Sequence, residues 1–320
     1  MSIPTRLKEK LASIPELPGI YKMLDARGNI IYIGKSKCLK KRVRSYFTKN
    51  NKWHKVEKLV AFIDDIDFHV TDTHLEACLL ECKLIKEIRP VFNSQMKNHE
   101  RYVYLEVTSD YNPHKPLNVE SSRISYSYGP FRHRYRLLEI IASLNNLFPL
   151  TKDDTGYHYD YHPLPKLMNE DEFYVNRDIL IDLFSNTKSM ESFIKSLEVR
   201  MIDFAQSFKY ETASKYRDII KGLNYINYRI SDYNKFLSSN YLLKIPANFG
   251  TKLFLISGGF IINKQEYTNP SKEDIDSFIS SGLTNKESYF KVLSEKAAID
   301  FHDIIYSEIK SLDKELYSII

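Results

Sequence analysis

Two short β-rich segments near the start of the chain constrain its fold most strongly, because only a tight turn separates them. They are GIYKML at 19–24 and NIIYIG at 29–34, joined by residues of which the last, Gly28, can adopt positive φ. This pattern predicts a β-hairpin. Each strand of the hairpin carries one tyrosine, Tyr21 on the first and Tyr32 on the second.

A basic helix is predicted directly after the hairpin, over about 37–48, with Leu39, Val43 and Phe47 as its apolar stripe. Arg42 and Tyr46 lie four residues apart on another face. Residues 1–101 carry 20 basic and 12 acidic side chains, whereas the rest of the chain carries 26 and 29. This surplus favours nucleic acid as the partner, and a solvated basic helix is the alternative. The basic surplus is densest in Lys35, Lys37, Lys40, Lys41, Arg42, Arg44, Lys49, Lys52, Lys55 and Lys58, of which Lys37, Lys40, Lys41 and Arg44 are expected to contact DNA.

A third strand is predicted over 61–71, followed by a helix from Thr73 to about Arg89 that contains two informative glutamates. Glu76 follows Thr73 in a T-x-x-E capping box, which gives it a structural role. Glu81 emerges on an apolar face, where an unpaired charge is costly. Its neighbours one turn away are Ala77, Cys78, Leu84 and Ile85. We therefore expect Glu81 to face a cation, either a basic side chain or a metal ion.

The two tyrosines, Lys35, Arg42 and Glu81 together suit phosphodiester hydrolysis. This reaction needs a base, positive charge on the phosphorane and help for the leaving oxygen. Glu81 could hold a metal and Arg42 could brace the phosphate. Ionising a tyrosine at pH 7 costs roughly 4 kcal/mol unless a cation such as Lys35 stabilises the phenolate. From spacing alone, a nuclease, a nucleic-acid-binding module and a purely structural hairpin all remain possible.

The same residues resemble the GIY-YIG nuclease domain of the bacterial excinuclease subunit UvrC. The similarity covers about 15–107 and is carried by GIY at 19–21, YIG at 32–34, KSKCLKKRVRSYF, LEACLLECKLIKEIRPVFN and MKNHERYVYLEV. It implies an α+β domain with a three-stranded antiparallel sheet flanked by helices. It also implies a single Mg²⁺ or Mn²⁺ bound by Glu81, with Tyr32 as the general base. The catalytic residues implied by the resemblance are Tyr21, Tyr32, Lys35, Arg42, Tyr46 and Asn93.

Two later segments resemble UvrC as well. YGPFRHRYRLLEIIASLNNLFPL is similar to the region that follows the nuclease, and MIDFAQSFKYETASKYRDIIKGL at 201–223 is similar to the UVR motif. The UVR motif is the helical hairpin through which UvrC binds the helicase UvrB. The UvrB-binding residues implied are Tyr210, Glu211, Ala213, Arg217 and Asp218. An amphipathic hairpin without this role is the alternative.

Two departures from the family pattern shape the expected organisation. Residues 150–195 lack the cysteines that usually hold an iron–sulfur cluster in UvrC, so no such cluster is expected. Residues 232–320 resemble at most the beginning of the ribonuclease-H-like half. We therefore expect a short, Cho-like form. Its parts are a nuclease domain at 1–100, a mixed middle region at 101–195, a UVR hairpin at 196–231 and an incomplete α/β C-terminal region at 232–320.

The resemblance implies a metal-dependent endonuclease of nucleotide excision repair that nicks double-stranded DNA 3′ to a bulky lesion marked by UvrB. A non-catalytic UvrB-binding adaptor and a GIY-YIG nuclease of a mobile or restriction system are the alternatives. No apolar run approaches the roughly 18 residues that span a bilayer, and the chain starts without a secretion signal. The three cysteines are too few for a disulfide framework. A cytoplasmic protein with no membrane partner is expected.

Overall fold

The tyrosine-bearing hairpin belongs to a three-stranded antiparallel sheet in the computed structural model, which describes residues 5–48, 54–284 and 293–320. Gly28 has a φ of 79° in its turn, as predicted. The strands are β1 (Gly19–Leu24), β2 (Ile30–Ser36) and β3 (Asp65–Val70), in the order β2-β1-β3. Four helices accompany the sheet: α1 (Thr5–Ser13), α2 (Leu39–Ser45), α3 (His54–Phe62) and α4 (His74–Ile88). The predicted α+β fold of this region is confirmed.

Two element boundaries in this region differ from the prediction. The third strand was expected over 61–71, but α3 continues to Phe62 and β3 begins only at Asp65. The segment is helical there and not a strand, because the helical spacing buries both Leu59 and Ile63, one turn apart, in the core of the domain. The helix expected over 37–48 covers only Leu39–Ser45, since the chain tightens into three-residue turns after it.

Residues 100–236 form a second compact unit with a hydrophobic core of its own. Its strands are β4 (Val103–Val107), β5 (Leu117–Glu120) and β6 (Ser127–Phe131) in the order β5-β4-β6, with a small hairpin of β7 (Thr151–Asp153) and β8 (Gly156–His158). Its helices are α5 (Arg134–Asn145), α6 (Glu170–Ser185), α7 (Thr187–Gln206) and α8 (Tyr210–Asn227). The sequence predicted separate segments at 101–195 and 196–231. The structure instead packs the α7–α8 hairpin against α5 and α6 in one shared core.

The C-terminal region, 237–320, folds together with residues 1–99 rather than alone. It follows α9 (Tyr233–Ser238) and contains β9 (Tyr241–Ala247), β10 (Gly250–Ser257), β11 (Phe260–Tyr267), α10 (Lys272–Thr284), α11 (Glu295–Ser311) and β12 (Tyr317–Ile319). The strands form an antiparallel sheet in the order β11-β10-β9-β12. Helix α11 packs on α4, and Lys86 of α4 pairs at 2.5 Å with the fully buried Asp300 of α11. The C-terminal region thus supports the helix that carries Glu81.

Glu76 has a larger structural role than the capping box predicted from the sequence. Its N–H donates to the Thr73 hydroxyl at 3.3 Å, as expected for a helix cap. Its carboxylate, however, accepts hydrogen bonds from Lys252 at 2.9 Å and from Lys264 at 2.6 Å, and Lys252 also pairs with Asp72. Although burial raises the pKa of Glu76, the two lysines outweigh it and hold that pKa below its usual value. The ion pairs therefore contribute stability above the usual glutamate pKa, and this contribution is lost as the pH falls.

These ion pairs predict different costs for removing the two lysines. Lys252→Ala is expected to lower the free energy of unfolding by about 2–4 kcal/mol, because it removes a buried ammonium that binds both the buried Glu76 carboxylate and Asp72. Lys264→Ala is the matched control, since its side chain is 54% exposed and binds the same carboxylate. We expect it to cost less than about 1 kcal/mol. Calorimetric unfolding measures both, and equal losses would contradict the assignment of Lys252 as the main support.

None of the helices within these described ranges is both long and apolar enough to cross a membrane.

Candidate active site

Three tyrosines meet beside the hairpin. Tyr21 and Tyr32 come from adjacent strands and Tyr46 follows α2, and their ring centroids lie 5.9 to 6.2 Å apart. Tyr21 is 1% exposed, and its hydroxyl hydrogen-bonds that of Tyr46 at 2.8 Å. Tyr32 is only partly buried and lines an open cleft. Of the two hairpin tyrosines, therefore, Tyr32 is the one that a substrate can reach, while the buried Tyr21 packs within the cluster and hydrogen-bonds Tyr46.

The glycine of the YIG motif leaves room for the Tyr21 ring. Gly34 pairs with Tyr21 across β1 and β2. A Cβ atom at Gly34 would lie 2.3 Å from the Tyr21 hydroxyl oxygen and 2.4 Å from Cζ, well inside contact distance. The requirement for glycine here is steric, since the adjoining ring is fully buried and has no space to move.

Gly34→Ala is accordingly expected to lower the free energy of unfolding by about 1–3 kcal/mol through overpacking and to displace Tyr21. Gly28→Ala is the matched control in the same hairpin, because its added Cβ would meet no atom within 4 Å and only its φ of +79° opposes the change. We expect the control to cost about 1 kcal/mol and to keep activity. Thermal unfolding and a cleavage assay compare them; a Gly34→Ala protein as stable and active as the control would refute the steric explanation.

The free edge of β2 holds the other predicted site residues in place. The Ile33 N–H donates to Asn93 Oδ1 at 2.9 Å, and Asn93 Nδ2 donates back to the Ile33 carbonyl at 2.8 Å. Two residues further along, the Lys35 N–H donates to Glu81 Oε1 at 3.0 Å. Because β2 lies at the edge of its sheet, these backbone groups are not hydrogen-bonded to a neighbouring strand of the sheet. Asn93 and Glu81 are therefore fixed relative to the strand that carries Tyr32.

Glu81 faces a cation, as the sequence predicted. Its side chain is 12% exposed, and Oε2 lies 3.6 Å from the Lys35 ammonium. Burial raises the pKa of the Glu81 carboxyl, against the opposing effect of Lys35 and of Arg42. The folded protein thus holds a desolvated carboxylate next to positive charge, an arrangement typical of functional sites.

The structure gives Lys35 a different partner from the Tyr32 phenolate that the sequence analysis suggested. The Lys35 ammonium pairs with Glu81 instead, because residues three apart on a strand point to opposite faces. Burial raises the pKa of Tyr32 above its usual value, Tyr46 and Glu81 raise it further, and Arg42 is the cation that opposes them. Arg42 is thus the residue that favours the phenolate.

Arg42 is held against the tyrosine cluster. Its Nη2 donates to the Tyr46 hydroxyl at 3.2 Å, and its guanidinium lies 5.0 Å from the centre of that ring. The other basic residues of this region are mostly solvent-facing: Lys37, Lys41 and Arg44 are exposed, whereas Lys40 pairs with Glu16 at 3.7 Å. Lys49, Lys52 and the side chain of Lys55 lie outside the described residues.

The cleft at this site has a volume of about 560 Å³ and two kinds of lining. One part is polar and brings together the predicted residues Tyr32, Lys35, Arg42, Tyr46, Glu81 and Asn93. The other part is apolar and was missed by the sequence analysis: Val56, Leu59, Ile85, Phe92 and Met96. The only sequence signal for it is the proximity of Phe92 and Met96 to Asn93.

A divalent cation fits Glu81. Within the described ranges, no three His, Cys, Asp or Glu side chains gather into a metal-binding group, so Glu81 would be a single protein ligand. Mg²⁺ is commonly bound through one or two carboxylates, with waters and phosphate oxygens completing its shell. A buried carboxylate in an open cleft that Arg42 also lines meets this requirement.

The predicted UvrB-binding residues lie on the α7–α8 hairpin. Tyr210 and Glu211 are exposed at the start of α8, and the exposed side chains of Arg217 and Asp218 pair with each other at 3.1 Å. Ala213 is buried and packs within the unit, so it is a packing residue rather than a contact. The sequence analysis missed Phe208, which is 80% exposed at the turn and packs edge-on against the Tyr210 ring.

Comparisons with known proteins show which family this chain resembles. Residues 17–94 match the family model described as a UvrC-like GIY-YIG domain. UvrABC system protein C of Acetivibrio thermocellus is 30% identical over 292 residues, covering 84% of this chain and 46% of that protein. That of Synechococcus elongatus is 35% identical over 237 residues, covering 69% of this chain and 36% of that protein. The chain thus spans less than half the length of these relatives.

A solved structure is also similar to part of the chain. It is the GIY-YIG N-terminal endonuclease domain of UvrC from Thermotoga maritima, bound to its catalytic divalent cation, magnesium. It is 36% identical and is covered completely by 29% of this chain, with a TM-score of 0.27.

Proposed function

Because this chain carries a GIY-YIG domain of the UvrC family over residues 17–94, we propose that it is a metal-dependent DNA endonuclease of nucleotide excision repair. The observation that carries the proposal is the attachment of Glu81 to the free edge of β2, the strand that presents Tyr32. This places a desolvated carboxylate, a tyrosine and Arg42 around one cleft. A structural hairpin or a simple binding module has no need of a buried carboxylate there.

The residues divide the work of phosphodiester hydrolysis. Tyr32 Oη takes the proton of the attacking water, since Tyr21 is buried and engaged with Tyr46. The Arg42 guanidinium braces the scissile phosphate and offsets its developing charge. Glu81 would hold one Mg²⁺ or Mn²⁺, and the ion would supply positive charge to the phosphate and the leaving oxygen. Lys35 favours the ionised form of Glu81 against the effect of burial, and Asn93 positions β2.

We further propose that the protein makes the incision 3′ to a bulky lesion in DNA marked by UvrB, leaving 3′-hydroxyl and 5′-phosphate ends, as a short, Cho-like form. The exposed Phe208 and Tyr210 rings at the turn of the α7–α8 hairpin support a partner-binding role. Exposed Glu211, Arg217 and Asp218 on α8 supply a polar rim around them.

A nicking assay tests this function. End-labelled duplex carrying one bulky adduct is incubated with Mg²⁺ or Mn²⁺, with and without UvrB. We expect a single UvrB-dependent nick on the 3′ side of the adduct. Binding to UvrB without any cutting would instead indicate an adaptor. Cutting that is indifferent to UvrB, together with no UvrB binding at low salt, would indicate a nuclease unrelated to repair.

A further inference from the structure

A cavity in the unit 100–236 is lined by arginines that none of the sites above uses. Its volume is about 800 Å³. Two acidic side chains, Glu100 and Glu139, also line it. The basic and aromatic lining residues are Arg101, Arg132, His133, Arg134, Arg136, Tyr102 and Tyr135. Four guanidinium groups against two carboxylates give the cavity a net positive charge.

This charge is local. Residues 100–236 carry 18 basic and 19 acidic side chains, yet three arginines fall within the five residues 132–136 with no acid between them. Within the part of the chain that the structure describes, no ion pair engages Arg101, Arg134 or Arg136. Arg136 is instead held by an aromatic ring, with its guanidinium 4.0 Å from the centre of Tyr225. Stacking orients this group without neutralising it.

The location of the charge makes it unfavourable for the free protein. Arg134 is the first residue of α5, a twelve-residue helix with no acidic side chain in its first turn and no side-chain hydrogen bond from its N-cap, His133. The start of a helix is its positive end, so a cation there is unfavourable. A departure from local electrostatic preference is expected where a bound anion offsets the cost.

We propose that this arginine cavity binds the phosphodiester backbone of DNA, as a contact made by residues other than those of the nuclease cleft. The proposal rests on the proposed function in that DNA is the ligand. Several guanidiniums suit a chain of phosphates, which accepts many charge-assisted hydrogen bonds along its length. Tyr135, whose side chain is 82% exposed beside them, offers a ring to the adjoining sugars or bases.

Fluorescence anisotropy with labelled, undamaged DNA tests the proposal. The titrations are run in EDTA over a range of salt concentrations, with a duplex and with the matching single strand as separate arms. The test variant is the double substitution Arg101→Ala, Arg134→Ala, both at exposed positions. Lys166→Ala removes an exposed charge of the same unit that does not line the cavity, and is the matched control. The single substitutions Arg134→Ala and Arg134→Glu compare loss of the charge with its reversal.

We expect the double variant to bind about tenfold more weakly at low salt and to lose about two from the slope of log affinity against log salt. Lys166→Ala should match the unchanged protein, and Arg134→Glu should bind more weakly than Arg134→Ala. The arm that loses affinity identifies duplex or single strand as the ligand. Unchanged affinity and slope in both arms would overturn the proposal and leave an acidic protein as the ligand. Because no cutting is measured, a protein without nuclease activity would still give a decisive result.

Discussion

Glu81→Gln is expected to lower the rate of DNA cleavage about 10³-fold or more. Glutamine has nearly the same shape and can still accept the hydrogen bond from the Lys35 N–H, but it lacks the charge that holds a divalent cation. A loss of about 4 kcal/mol of transition-state stabilisation corresponds to this factor. The measurement is single-turnover nicking of the adduct-bearing duplex with UvrB present, at saturating Mg²⁺.

The same substitution is expected to leave the metal-free protein at least as stable as before. Burial raises the pKa of Glu81 above its usual 4.5, so the folded state holds the proton more tightly than the unfolded state does. As the pH rises from the pKa of Glu81 in the unfolded state to its higher pKa in the folded state, ionisation therefore destabilises the fold. This cost persists at neutral pH. Glutamine removes the cost. In EDTA, the variant should melt at an equal or higher temperature than the unchanged protein at pH 7, and the advantage should disappear at low pH.

Glu76→Gln provides the matched control, because it changes another carboxylate of α4 that lies outside the cleft and binds Lys252 and Lys264. It should lose stability and keep activity, the reverse of Glu81→Gln. Cleavage by Glu81→Gln at nearly the unchanged rate would remove Glu81 from the active site. A large drop in its melting temperature would show that the carboxylate is structural.

The parts of the fold and site that could be predicted from the sequence depend on short-range patterns. The hairpin follows from the β-rich segments that flank Gly28. The expectation that Glu81 faces a cation follows from its apolar neighbours one helical turn away. Both signals lie within a few residues of the feature they predict. The same holds for the helical hairpin near Tyr210, although its extent, Thr187–Asn227, is greater than expected.

The parts that could not be predicted depend on contacts between distant residues. Lys252 reaches Glu76 from 176 residues away, so a capping motif gave no sign that the C-terminal region braces α4. Asn93 was expected to complete the site and it lines the cleft, but no sequence signal indicated its two hydrogen bonds to Ile33, 60 residues away. The pairing of Lys35 with Glu81 rather than Tyr32 likewise depends on how α4 approaches β2. Pattern and spacing identified the residues, and the packing determines their roles.

Tyr32→Phe is expected to lower the cleavage rate about 10²- to 10⁴-fold, the range expected for losing a general base. In the unchanged protein, the rate of the chemical step should rise about tenfold per pH unit between about pH 7 and 9. The sign follows from the raised pKa of Tyr32: the phenolate is a minor form throughout this range, and its fraction increases with pH. Single-turnover rates across this range, at saturating Mg²⁺, measure both effects.

Tyr21→Phe is the matched control within the tyrosine cluster. It removes the hydroxyl that bonds to Tyr46, so it should cost about 1 kcal/mol of stability with a smaller loss of rate than Tyr32→Phe. The residual activity of Tyr32→Phe should also lose the steep rise with pH. If Tyr32→Phe kept the full rise of the cleavage rate with pH, the titrating base would have to be another group in the cleft. If Tyr21→Phe instead abolished the slope, the proton would pass through the buried hydroxyl pair, and Tyr32 would serve to position the water.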